Sequence, residues 1–145
     1  MASNGDVTVN ATDPDSSSAS ITITPGASAT GGNVLLEADR AITTDQLQAQ
    51  TAGGNGGAII VNSLEGGVIN IGVLLADNGV AIDTANDVNV TSVDTDADND
   101  SVGGLVIGGV NAPSDVAFVA DVSATDIAID ITGSVSGQDL SLIHI

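Results

Sequence analysis

Two consecutive 25-residue blocks write nearly the same sentence twice: "GGNVLLEADRAITTDQLQAQTAGGN" at 31–55 and "GGAIIVNSLEGGVINIGVLLADNGV" at 56–80. Each opens on a Gly-Gly pair, runs through four mostly apolar residues, and returns to a second short run about ten residues later. A period in the twenties with short strands is what stacked coils require, because one repeat cannot bury its apolar face without a neighbour. This repetition constrains the fold more than any other feature of the chain.

The runs themselves alternate at period two. Val7/Val9 in "DVTVNAT" and Ile21/Ile23 in "ASITITPG" begin a series that continues through "NVLLEA", "AIIVNS", "GVINIGVLLA", "DVNVTSVDT", "DVAFVADV" and "DIAIDIT". Alternating β-branched residues argue strands, and the Gly, Asn, Asp and Ser between them argue turns. "TTDQLQAQT" (43–51) has helix formers but no apolar stripe, and reads as strand and turn. Aligning the repeats places Ile42, Val68, Val88 and Val116 in one column and Leu47, Val73 and Val93 in a second. Gly and Asn fall at the corners, where left-handed backbone is expected. These features predict an all-β, right-handed parallel β-helix, or β-solenoid, of about five turns. The alternative is an antiparallel β-sandwich, which shows the same spacing of turns but normally anchors its core on a Trp or Tyr.

Composition agrees with thin aliphatic layers. Phe118 is the sole aromatic side chain, so the interior must be built from Val, Ile, Leu and Ala. Residues 1–30 read as irregular first strands, 31–139 as solenoid repeats, and 140–145 as a last strand or a non-native tail. "LSLIHI" at that end alternates correctly, yet also resembles translated sequencing-adapter read-through.

Nineteen acids against the single base Arg40 give a net charge of −18. Phosphate recognition needs Lys and Arg, so nucleic acid is excluded as a partner, and an anionic membrane surface repels the chain. No run approaches the roughly 18 apolar residues of a spanning helix, so no membrane insertion is expected. With no cysteine, disulfides, thiol catalysis and thiolate metal sites are excluded. "MASNGDVTVNATD" has neither the basic nor the apolar region of a signal peptide, so the chain reads as cytoplasmic or as an internal piece of an exported protein. The acidic surface is read as keeping an edge-rich protein soluble.

One cluster is sharp. In "VDTDADND", Asp94, Asp96, Asp98 and Asp100 stand at every second position, and alternate carboxylates on a curled loop can supply the oxygen ligands that calcium takes. The spacing opens like an EF-hand loop but puts Asn99 and Leu105 where that loop needs Gly and Glu. These four residues are the candidate metal ligands, with calcium the sole candidate cofactor. The structural alternative is an exposed acidic corner. Arg40 is expected to pair with Glu37 or Asp39 on a solvated corner.

No catalytic residue is assigned, and the chain is expected not to be an enzyme. Paired carboxylates alone can do acid–base chemistry. However, Phe118 sits in a strand where a core role is expected, no basic cluster faces an anionic substrate, and a serine triad would need His144, next to the end.

Residues 31–75, with the matching pieces "GGNVLLEADRAITTDQLQAQTAGGNGGAIIVNS" at 31–63, resemble the repeat region of filamentous haemagglutinin-type exoproteins, with their Gly-Gly-x-Val/Ile-x-Leu runs and "ITTG"-like rungs. The resemblance covers about a third of the chain well. It implies a parallel β-helix, an internal fragment of a larger cell-surface or secreted bacterial protein, export by a two-partner secretion transporter, and a role as a structural or adhesive stalk whose ligand is a cell-surface or matrix component. Residues 1–30 are not expected to form the family's amino-terminal secretion domain. Two other functions are compatible with the sequence: a calcium-binding β-sandwich repeat of an acidic adhesin, and a polysaccharide-active β-helix.

Overall fold

A computed structural model describes residues 2–3, 5–15, 18–30, 32–50, 56–96, 102–137 and 140–142. Strands are numbered in chain order. One sheet holds six, in chain order across the sheet: β2 (Val7–Ala11), β5 (Val34–Ala38), β7 (Ile59–Ser63), β9 (Val80–Asp83), β11 (Gly104–Ile107) and β14 (Asp126–Ile129). The other sheet holds β1 (Ala2–Ser3), β3 (Ile21–Ile23), β4 (Ala27–Thr30), β6 (Ile42–Gln50), β8 (Ile69–Ala76), β10 (Val88–Asp94), β12 (Val116–Phe118), β13 (Val122–Ala124), β15 (Val135–Gly137) and β16 (Leu140–Leu142). The chain passes from one sheet to the other and back, and every coil adds one strand to the smaller sheet and either one long strand or two short ones (β3/β4, β12/β13, β15/β16) to the larger. No helix occurs among the described residues, so none is long and apolar enough to cross a membrane.

Every described strand pairing is parallel. This is the parallel β-solenoid read from the repeats, and it overturns the antiparallel sandwich. Four coils have neighbours on both sides: β5–β6, β7–β8, β9–β10 and β11–β12/β13. With a partly covered coil at each end, the stack makes about four full turns, against the five expected.

The core is a set of columns of like side chains. In the six-stranded sheet Val34, Ile59, Val80 and Leu105 stack in register, and Leu36, Val61, Ile82 and Ile107 form a second column. All eight are buried. In the larger sheet Ile42, Ile69, Val88 and Val116 make one column, and Leu47, Leu74, Val93 and Val122 another. Fully burying one such side chain is worth about 1.5–3 kcal/mol. Phe118 lies inside at 3 % exposure, where the sequence placed it.

The columns correct the register expected from sequence by one residue. Ile69, not Val68, stacks on Ile42, and Leu74, not Val73, stacks on Leu47. Both Val68 and Val73 are only half-buried. Each long strand also bends: Ile42 and Thr44 point in, then Leu47 and Ala49, so two consecutive residues, Asp45 and Gln46, interrupt the alternation. The same slip separates Ile69 and Ile71 from Leu74 and Ala76. A shift of one residue turns every side chain to the opposite face.

The Gly-Gly pairs also have a different cause from the one expected. Neither Gly32 nor Gly57 has the left-handed backbone found at Gly66 (φ 74°) and Gly79 (φ 99°). A Cβ on Gly57 would run into the carbonyl of Gly32 in the coil below. What these positions demand is close approach of two backbones, which only hydrogen permits.

Candidate functional site

The acidic run 93–100 begins at the end of β10. Thr95 turns fully inward and its hydroxyl donates to the Gly103 carbonyl at 2.8 Å, closing the base of the loop. The Asp96 N–H donates to Asp94 Oδ1 at 3.3 Å, a local turn that engages one carboxylate with its own backbone. Asp96 itself is 9 % exposed. Asp98 and Asp100 lie outside the described residues, as does His144. Among the described residues no three His, Cys, Asp or Glu side chains gather closely enough to hold a metal ion.

Most of the structural work done by acids lies elsewhere, at the corners. Asp6 Oδ1 accepts the Asn33 N–H at 2.7 Å, one coil on. Asp39 Oδ2 accepts the N–H groups of Asp13 (2.7 Å) and Ala19 (3.3 Å), and Asp77 Oδ2 accepts that of Gly56 (2.9 Å). Asp83 Oδ1 accepts the Asn111 N–H at 2.9 Å. Asp115 Oδ1 accepts both the hydroxyl and the N–H of Ser134 at 2.7 Å, and these two bonds hold its carboxyl below the usual carboxylate range, the hydroxyl acting most strongly.

Each of these bonds joins neighbouring coils where the backbone leaves the ladder and its N–H groups lose their sheet partners. A charge-assisted bond to a backbone N–H is among the stronger hydrogen bonds a protein makes. The acidic composition therefore has a structural use beyond solubility: carboxylates staple corners. Sequence reasoning missed this role. A signal was present, since Asp6/Asn33 and Asp115/Ser134 are 27 and 19 residues apart, the same steps that separate Val7 from Val34 and Val116 from Val135.

Ser63 and Thr84 complete a neutral version of the same device. The Ser63 hydroxyl donates to the Arg40 carbonyl (2.8 Å) and accepts the Gly67 N–H (2.6 Å), while the Thr84 hydroxyl donates to the Gly67 carbonyl (2.8 Å). Arg40 extends outward, and its guanidinium donates to the Glu65 carbonyl of the next coil at 3.4 Å. Glu37, one of its expected partners, accepts an amide hydrogen bond from Asn10 at 2.9 Å.

Both outer faces are shallow. On the larger sheet Thr43, Asn70 and Asn89 stand in one outward column, and Asn89 Nδ2 donates to Asn70 Oδ1 at 3.0 Å. They line an open groove of about 310 Å³ with Asp45, Thr91 and Val119. On the smaller sheet a groove of about 320 Å³ runs over Ile60, Ala81 and Val106. No His, Lys or Arg side chain is among the residues that line either groove. The chain matches no protein-family model, and comparison with curated proteins and with solved structures gives no match.

Proposed function

We propose that the chain is a structural and adhesive stalk segment of a large secreted bacterial surface protein, with no catalysis of its own. One observation carries the reading: the interior is a set of repeating aliphatic columns joined coil to coil by backbone ladders and corner carboxylates. Such a body gains length and stiffness from each added coil and needs no chemical centre. The resemblance of residues 31–75 to haemagglutinin-type exoprotein repeats supports the same role, and with it export through a two-partner secretion transporter and a ligand on a cell surface or matrix.

Long-read sequencing across the source locus tests this. The stalk reading expects a frame that continues through further Gly-Gly/"ITT" repeats, behind a secretion domain and beside an outer-membrane transporter gene. A frame confined to these coils, with no transporter nearby, refutes it.

A further inference from the structure

The outer face of the six-stranded sheet is not flat. Its central outward column runs Thr8, Leu35, Ile60, Ala81, Val106, Ala128 in register. Ile60 and Val106 stand out, 37 % and 44 % exposed, while Ala81 between them offers only a methyl group. Gly79 and Gly104 flank that low point and add no side chain. The result is a trough lying along β9, walled by the β7 and β11 side chains, with a volume of about 320 Å³. Its walls are two strand spacings apart, about 9.6 Å, which admits one extended chain. Its floor and walls are apolar apart from Asn78 at one end, and acids lie beyond its margins. Asp83, which also holds the Asn111 N–H, stands two residues beyond Ala81 at one end, with Glu37 further along the same margin, and Asp126 lies one coil beyond Gly104 at the other.

We propose that this trough docks an extended segment of a partner protein in which a short aliphatic run is bracketed by Lys or Arg. Apolar side chains seat over Ala81 between Ile60 and Val106, and the two basic ends meet the acidic margins. Positions 79 and 83 bound the trough four residues apart, about 13 Å in an extended strand, so bases at the first and last positions of a five-residue run fit. Charge selects this occupant over a second copy of the chain: nineteen acids facing nineteen acids repel, whereas a basic segment is steered in. The inference holds whether or not the solenoid belongs to a stalk.

The test uses fluorescein-labelled Lys-Val-Ile-Val-Lys amide and a Lys-Gly-Ser-Gly-Lys control, titrated by anisotropy at 150 mM salt. The apolar peptide is expected to bind at least tenfold more tightly than the control. Ala81→Glu decides between trough and bulk charge, because it blocks the groove while adding an acid. Binding should fall at least tenfold, and Val106→Asp, checked by circular dichroism like the first, should do the same. Equal binding of the two peptides, undiminished or tighter binding by Ala81→Glu, or no binding at 1 mM peptide would each overturn the proposal. So would a dimer in light scattering that Ala81→Glu dissociates, since a second copy would then fill the trough.

Discussion

Replacing Ile69 by Asn and, separately, its neighbour Val68 by Asn tests the register of the whole stack. Ile69 is fully buried between Ile42 below and Val88 above. Its replacement forfeits about 2–3 kcal/mol of apolar burial. It also strands a buried amide among aliphatic neighbours, which costs about 1–3 kcal/mol more. The sum is about 3–6 kcal/mol. Val68 is half-exposed, and what it gives the fold is its backbone carbonyl, which accepts the Ile42 N–H at 3.2 Å and survives the substitution. Val68→Asn should therefore cost under about 1 kcal/mol. Urea unfolding followed by circular dichroism reads both. With a slope of about 2 kcal/mol per molar, Ile69→Asn should lower the midpoint by about 2 M and Val68→Asn by less than about 0.5 M. A loss for Val68→Asn equal to or greater than that for Ile69→Asn would refute the register and restore the column that aligns Val68 with Ile42.

The Gly-Gly pairs predict a second contrast: Gly57→Ala should cost about 1–3 kcal/mol because its new methyl meets the Gly32 carbonyl, whereas Gly109→Ala, with open space around it, should leave the melting temperature unchanged. For Asp115 the folded-state carboxyl titrates below its unfolded value of 3.8, so its contribution is complete above that value and is lost as pH falls through the lower folded one. Asp115→Asn should thus lower the urea midpoint at pH 7, where the carboxylate contributes, and leave it nearly unchanged at the acid end, flattening the acid limb, measured as urea midpoint against pH. A millimolar calcium addition after chelation should raise the melting temperature by less than about 2 °C, since Asp94 already accepts a backbone hydrogen bond and Asp96 is nearly buried; a larger rise would give the 94–100 loop a metal.

Much of the fold was legible because a solenoid repeats its physics. Ile21/Ile23, Val88/Val90 and Val116/Phe118 alternate at period two, the Gly-Gly blocks recur at 25 residues, and only stacked parallel coils satisfy both. The phase was not legible at "GVINIG". Val68 offers a β-branched side chain in one phase, Ile69 and Ile71 offer two in the other, and the bend at Gly72–Val73 removes the periodic reference that would choose between them. The corner carboxylates were hidden for another reason. Asp39 looks like a solvated acid in sequence, and only the placement of Asp13 and Ala19 beside it reveals two backbone N–H groups needing an acceptor. The apolar trough was equally invisible, because Ile60, Ala81 and Val106 are neighbours only once the register is known.

The unequal coil lengths have a mechanical consequence. Strands lie across the stack, so their hydrogen bonds run along its axis, and tension applied along that axis loads one ladder at a time. Peeling should proceed coil by coil from an end, where the ladder has one neighbour instead of two. Ile42, Ile69, Val88, Val116 and Val135 follow one another at 27, 19, 28 and 19 residues. Each coil released would pay out roughly 92, 65, 95 and 65 Å of chain at about 3.4 Å per residue. The solenoid would thus lengthen under load in alternating long and short strides, yielding by instalments before it breaks.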